Sequence, residues 1–407
     1  MQRLTLLLCI VWLIPCSLAQ LPDPEQGDGE EEVAVDLFTT PATKLAAATS
    51  DFGYNLFRQL AGQDPKASVL LAPISISAAL TQLSMGASTS AEKQLYRVLR
   101  YHALQDPQLH DRLRDLLASL HTSSKGLSSA ARICLERKLR LKLDYLNAVE
   151  KQYGVRPKAL MGGARDLKEI NEWVRQQTGG KVDRFFRAAL PRGAGAMPLG
   201  AAYFKGRWLT RFSQSGIMQD FQVDGAAPVK TAMMQQERYP IKLGNDPDLG
   251  CTVAQVQMDG DVSMIFFLPD EVTQNMTLIE EALTAEFVQD LSMTLHPVQA
   301  DLVLPVLKLS YAADLLPLLS DMGLSDWLTQ TDLEKISNQA VKVSSVHHKV
   351  VMETAPEGSQ YPSSAPVSGQ QLAQPFRVDR PFLFLVRDET SGALLLIGKV
   401  LNPRDLA

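Results

Sequence analysis

The chain has 407 residues, with 45% hydrophobic, 21% charged, four cysteines and a formal net charge of -5. Four cysteines in this length exclude a disulfide scaffold, so stability must come from a packed core. A near-neutral sum does not predict polyanion binding, but the charges are segregated and that can. Residues 131–192 hold 15 Lys or Arg against 7 Asp or Glu, and residues 243–337 hold 2 against 16.

Arg3, the apolar run Leu4 to Ile14 and the small-residue site Ser17-Leu18-Ala19 predict a secretory signal cleaved between Ala19 and Gln20. The run is too short to span a bilayer, and no later stretch is apolar enough to do so. The mature protein is therefore expected to be soluble and extracellular. Cys9 and Cys16 leave with the signal. Cys134 and Cys251 remain; pairing stays open, with two free buried thiols the favoured reading. Residues 20–43 carry seven acids and no base, and read as a disordered acidic leader.

Order is expected from Lys44, where Leu45, Ala48, Phe52 and Leu56 recur at helical spacing. Val69 to Leu71 reads as a short strand before a small-residue helix opening at Pro73. Leu109 to Leu120 is an amphipathic helix. Ala130 to Leu143 alternates with period 2, with Ile133, Leu135, Leu139, Leu141 and Leu143 on one face and Lys138, Arg140 and Lys142 on the other. Asp166 to Lys181 reads as a helix stopped by Gly179-Gly180. Met197 to Leu209, Cys251 to Met258, Val262 to Leu268 and Leu302 to Leu309 read as strands, and Leu278 to Leu295 as a helix with a possible break. Helices come mostly early and strands mostly late, which makes the fold α+β.

Enzyme signatures do not emerge. There is no G-x-S-x-G elbow, no H-E-x-x-H helix and no Walker-type loop. His347 and His348 are adjacent and would face opposite sides of a strand, a poor metal pair. No catalytic site, metal or cofactor is read from the chain.

Three internal segments and the tail carry a family resemblance. They are Leu70-Leu71-Ala72-Pro73, Asn171-Glu172-Trp173-Val174, Tyr203-Phe204-Lys205-Gly206-Arg207-Trp208, and the run from Phe376 through Gly392-Ala393-Leu394-Leu395-Leu396-Ile397-Gly398-Lys399-Val400-Leu401-Asn402-Pro403. Over about residues 44–405 the chain resembles the serpins. That resemblance implies one domain over residues 44–407, where length alone suggests two or three. It implies three β-sheets, eight or nine helices and an exposed reactive-centre-like loop over residues 353–374.

In that family a cleaved loop inserts as a new central strand and traps a protease. Such a strand must be extended, must donate backbone hydrogen bonds and must present small alternate side chains. Counting forward from His348-Lys349-Val350 gives Pro356-Glu357-Gly358-Ser359 where inhibitors have Glu-Glu-Gly-Thr. Pro356 alters the start. Tyr361 overfills a position that takes alanine, at a cost of about 1–3 kcal/mol. Pro362 and Pro366 each remove a ladder donor. The loop is expected not to inhibit, with its nominal bait bond at Leu372-Ala373. The alternative is a working serine-protease inhibitor acting by loop insertion; a third possibility is a ligand carrier.

On the strand read for 130–143, Lys138, Arg140 and Lys142 would stand about 7 Å apart, given a rise of about 3.3 Å per residue. Such a row suits a heparin or heparan sulfate-type glycosaminoglycan. Lys44 to Ala48 and Val272 to Glu281 resemble a non-inhibitory branch of the family. That likeness implies heparin binding through Arg137, Lys138 and Arg140, and collagen binding through Asp246, Asp248 and Asp290. It also implies neurotrophic and anti-angiogenic signalling through cell-surface receptors, one of them adipose triglyceride lipase-like, by segments near 36–67 and 69–110. Asn275-Met276-Thr277 is an N-glycosylation sequon, and Thr277 is also placed to cap the helix that follows.

Overall fold

The first helix starts with a reciprocal cap. Thr40 Oγ1 accepts from Thr43 N at 3.1 Å, while Thr40 N donates to Thr43 Oγ1 at 3.3 Å. Helix α1 (Pro41–Gln63) therefore begins three residues earlier than the apolar periodicity indicates. The computed structural model describes residues 39–406 except 191, 192, 194, 273–275, 326–332 and 362–372. The predicted signal, Ala19, Gln20 and Asn275 lie outside the described residues.

After α1 come β1 (Val69–Leu71), α2 (Pro73–Ser84), α3 (Thr89–Val98) and α4 (Leu109–Leu120). Next are β2 (Leu127–Glu136), α5 (Leu143–Tyr153), β3 (Lys158–Leu160) and α6 (Ala164–Gln177). The strand-rich part opens with β4 (Ala196–Phe204), β5 (Trp208–Thr210), β6 (Gln214–Phe221), β7 (Val229–Asp246), β8 (Cys251–Met258) and β9 (Val262–Pro269). Helices α7 (Thr277–Ala282) and α8 (Ala285–Thr294) lead to β10 (His296–Pro305), β11 (Lys308–Asp314) and α9 (Leu316–Leu319). The chain closes with β12 (His347–Glu353), β13 (Gly358–Gln360), β14 (Gln374–Arg377), β15 (Phe382–Asp388) and β16 (Leu394–Val400).

One sheet has five strands in the order β11-β12-β4-β2-β3. Its centre is a parallel seam in which β12 pairs β4 from His347 opposite Leu199 to Met352 opposite Phe204. The other sheet follows the path β1-β16-β15-β9-β8-β7-β10-β14, with β5, β6 and β13 attached beside it. Strand β7 pairs β6 with its first part and β8 with its last. β10 runs along β7 through a register shift between Ala300 and Leu302, near Arg238 at φ +50°. Two of the three sheets implied by the family resemblance are thus hydrogen-bonded into one through β7 and β10.

Every residue of α2 is buried, and the helix packs across β2, β4 and β16. Three of its hydroxyls bond their own backbone: Ser75 Oγ donates to Ala72 O at 2.9 Å, Thr81 Oγ1 to Ser77 O at 2.7 Å and Ser84 Oγ to Thr81 O at 2.8 Å. Gly200 in β4 permits this approach, since a Cβ there would stand 3.0 Å from Ser75 O.

The alternating segment 130–143 is not one strand. β2 stops at Glu136 because its neighbours stop: Leu135 pairs Ala196 at the start of β4, and Glu136 pairs Leu160 at the end of β3. Beyond that point the backbone has no ladder to join, so it turns, with Leu139 N donating to Glu136 O, and enters α5 at Leu143. Leu143 is exposed rather than core-facing. The predicted strands 197–209 and 302–309 each split in two for a similar reason. Lys205 N bonds Gly126 O between β4 and β5, and Leu307 N bonds Thr354 Oγ1 between β10 and β11. Helix 278–295 is broken between Ala282 and Ala285, and Met276, not Thr277, is the N-cap residue of α7.

Candidate functional site

The loop leaves β12 and does not continue along the seam. Thr354 is buried, its Oγ1 accepting from Leu307 N at 2.7 Å and its own N donating to Leu307 O. The chain then crosses to β5. Phe212 N donates to Pro356 O at 3.0 Å, Trp208 N to Glu357 O at 3.2 Å and Arg211 N to Gln360 O at 3.0 Å. β13 is a parallel strand on β5, with Gly358 opposite Trp208 and Gln360 opposite Thr210. Gly358 is required there, because a Cβ would lie 2.4 Å from Arg211 N.

An aromatic stack supports this junction from below. Trp208 is fully buried, edge-on to Phe212 at 5.7 Å, and Phe212 stacks on Tyr239 at 4.8 Å. Above it the Arg211 guanidinium sits 3.8 Å over the Tyr361 ring, which is otherwise 74% exposed. Pro362, Pro366 and Leu372 lie outside the described residues. Ala373 is half-buried immediately before β14.

The seam is held from both faces. His348 is fully buried: its Nε2 accepts from Ala72 N at 3.2 Å and its Nδ1 donates to Gly200 O at 3.2 Å. Burial pushes this imidazole from near 6.5 down to about 4, partly countered by the Gly200 carbonyl. His347 points the other way and meets Phe186 edge-on at 4.8 Å. Lys349 Nζ donates to Asp183 O at 2.8 Å and Arg184 O at 2.9 Å, tying the segment after α6 over β12. Burial, then the nearby Arg187, lowers the pKa of its amine.

The basic residues read as a strand row belong instead to the turn between β2 and α5. Arg137, Lys138 and Arg140 are exposed, and Lys142, half-buried, is the residue before α5. The turn is pinned by backbone hydrogen bonds. Arg137 N donates to Leu160 O at 3.0 Å, Arg140 N to Gln339 Oε1 at 2.8 Å and Lys142 N to Ile336 O at 2.8 Å. None of the four cations makes an ion pair among the described residues. The even spacing of a flat strand is lost, while the cluster of charge is kept.

Of the acidic candidates, Asp246 ends β7 and is turned on its own loop. Its Oδ1 accepts from Asp248 N at 3.1 Å and Leu249 N at 3.0 Å. Asp248 and Asp290 are exposed, the latter on α8. Topology brings the two elements near each other: Leu243 of β7 pairs His296, two residues after α8 ends, and Gly244 lies against Leu295.

The model of the Serpin (serine protease inhibitor) family matches residues 47–403. The chain is a serpin. It is 43% identical to bovine (Bos taurus) pigment epithelium-derived factor, over 94% of this chain and 92% of that one. The human protein of that name is 40% identical over 99% and 100%. Pig (Sus scrofa) corticosteroid-binding globulin is 31% identical over 98% and 99%. Among solved structures, human thyroxine-binding globulin superposes with a TM-score of 0.80 at 25% identity, covering 89% of this chain and all of that one. Maspin, at 21% identity, shares the fold with a TM-score of 0.80.

A strand that followed β12 into the middle of its sheet would meet the parallel β4–β12 pairing first. Entry demands that the β12–β4 pairing open and that β13 peel from β5. Two participants escape a reading of the sequence alone. Arg211 and Trp208 hold the loop's start; Trp208 ends the family segment 203–208, but nothing local marks this role for either, because their partners lie about 150 positions away. Gly358 was visible as a family glycine, and its close contact with Arg211 gives it a structural reason in the uninserted state.

Proposed function

We propose that this serpin is a secreted, non-inhibitory extracellular factor, held in the matrix by heparin-like glycosaminoglycans and collagen and signalling through cell-surface receptors. One observation carries the non-inhibitory part: the start of the loop is hydrogen-bonded from Pro356 to Gln360 onto β5 and the residues after it, with Tyr361 under the Arg211 guanidinium, and is not directed at the seam. Release would still deliver Tyr361 to a position made for alanine, at about 1–3 kcal/mol, followed by two prolines that cannot donate to a central ladder. Insertion slower than deacylation turns an inhibitor into a substrate.

Kinship with pigment epithelium-derived factor supports the reading of an extracellular factor with neurotrophic and anti-angiogenic activity. No described helix is long and apolar enough to cross a membrane, which fits release from the cell. Arg137, Lys138, Arg140 and Lys142 are the candidate glycan contacts, and Asp246, Asp248 and Asp290 the candidate collagen contacts. The deciding experiment cuts the loop between 353 and 374 and follows heat denaturation. The expected melting temperature is nearly unchanged. A large rise, or a protease complex that survives SDS, would establish the inhibitor instead.

A further inference from the structure

We infer that the glycan site is composite and that Lys335 and Lys342 complete it; this rests on the glycan reading of the 137–142 turn given above. The fold joins that turn to a second segment far along the chain. Leu141 forms an antiparallel bridge with Ser337, and Lys142 N donates to Ile336 O, which places Lys335 beside the end of the turn. At the other side Glu136 N donates to Gly195 O, and Ala196 N donates to Lys342 O, both at 2.8 Å. Gly195, at φ +56°, brings these backbones together, since a Cβ would stand 2.3 Å from Lys342 O. Three chain segments thus meet at one edge, and one of them, 335–342, carries an exposed lysine at each of its ends.

Ion pairing separates this edge from one part of the basic region, although Arg132, Lys151, Lys168, Lys181 and Arg187 also form no ion pair among the described residues. Arg156 pairs with Glu150, Lys158 and Arg165 with Glu169, and Arg175 with Glu172. Arg137, Lys138, Arg140, Lys142, Lys335 and Lys342 form no ion pair among the described residues, although Glu136, Asp144 and Glu334 stand in the same segments. Six uncommitted cations against three acids leave a net positive rim. The backbone beneath is fixed by the hydrogen bonds above, so a polyanion need order only the side-chain ends. A linear sulfated chain, with charge repeating along its length, matches cations spread along an edge and not focused in a pocket.

The test uses the full-length protein and heparin, with affinity measured at fixed salt and elution salt on immobilised heparin. Lys335→Ala with Lys342→Ala should weaken binding roughly three- to fivefold per lysine and shift elution to lower salt. Arg137→Ala with Lys138→Ala and Arg140→Ala should do at least as much. Lys158→Ala with Arg175→Ala, which removes paired cations, should leave elution unshifted. If the turn variant shifts and the Lys335/Lys342 variant does not, the composite site is wrong while the glycan reading stands. If neither shifts, the glycan reading falls with it. An equal shift in the paired-cation variant reduces the effect to bulk charge and overturns the assignment. So does duplex DNA that competes as well as heparin. Unchanged melting temperatures establish that each variant is folded.

Discussion

The β4–β12 seam has two ends made of opposite materials. At the Phe204–Met352 end the loop is fastened by backbone hydrogen bonds and aromatic rings, and the polar groups that matter are spent on each other. At the Leu199–His347 end the backbone is equally well fixed, but it carries long cations with no acidic partner among the described residues. Order at one end fastens the loop to β5. At the other end order presents a surface. The contrast teaches that an equally rigid backbone can carry satisfied groups at one end and free charge at the other.

If the ends are independent, damage to one should leave the other intact. The largest expected effect is Trp208→Ala, which empties a fully buried site beneath the loop and should cost about 3–5 kcal/mol in denaturant unfolding. Heparin elution of the folded variant should not move; a shift would show the ends to be coupled. Acidification comes next. His348 is held neutral in the fold at about 4 but takes a proton near 6.5 when unfolded, so protons favour the unfolded chain. Stability should fall as pH drops from about 6.5 to about 4, by on the order of 3 kcal/mol, and a His348→Gln variant should lose that part of the pH slope. The smallest effect is Arg211→Ala. Loss of the contact with Tyr361 is worth about 0.5–2 kcal/mol locally, read as faster proteolysis in the 353–374 loop at an unchanged global melting temperature.

Local pattern served well where an element's partner does not decide its length. Leu109–Leu120 and Cys251–Met258 have the bounds their periodicity indicates. It misled at 137–143, because alternation continues past Glu136 whereas β4 and β3 do not. A strand needs a neighbour, and period 2 says nothing about where the neighbour ends. Charge counting met the same obstacle. Lys335 falls within the acidic stretch 243–337, yet the fold carries it to the basic turn. Conversely, three of the fifteen cations in 131–192 are engaged in ion pairs on β3 and α6. The size of Tyr361 is legible in the sequence because it depends on residue type alone. The clamp by Arg211 is not, since it arises from β13 choosing β5 over the seam.

Cys134 and Cys251 are both free, both fully buried and both pushed up to about 12 by desolvation, so neither thiol reacts in the closed fold. They belong to different apolar clusters, Cys134 among Ile170, Val174 and Met197 under α6, and Cys251 in the main core with Val253 and Phe267. Each is a built-in clock for its own compartment. Labelling at Cys134 times the lifting of α6 from the five-stranded sheet, and labelling at Cys251 times the breathing of the larger core. The wild-type chain thereby reports, without substitution, which half of the molecule lets go first.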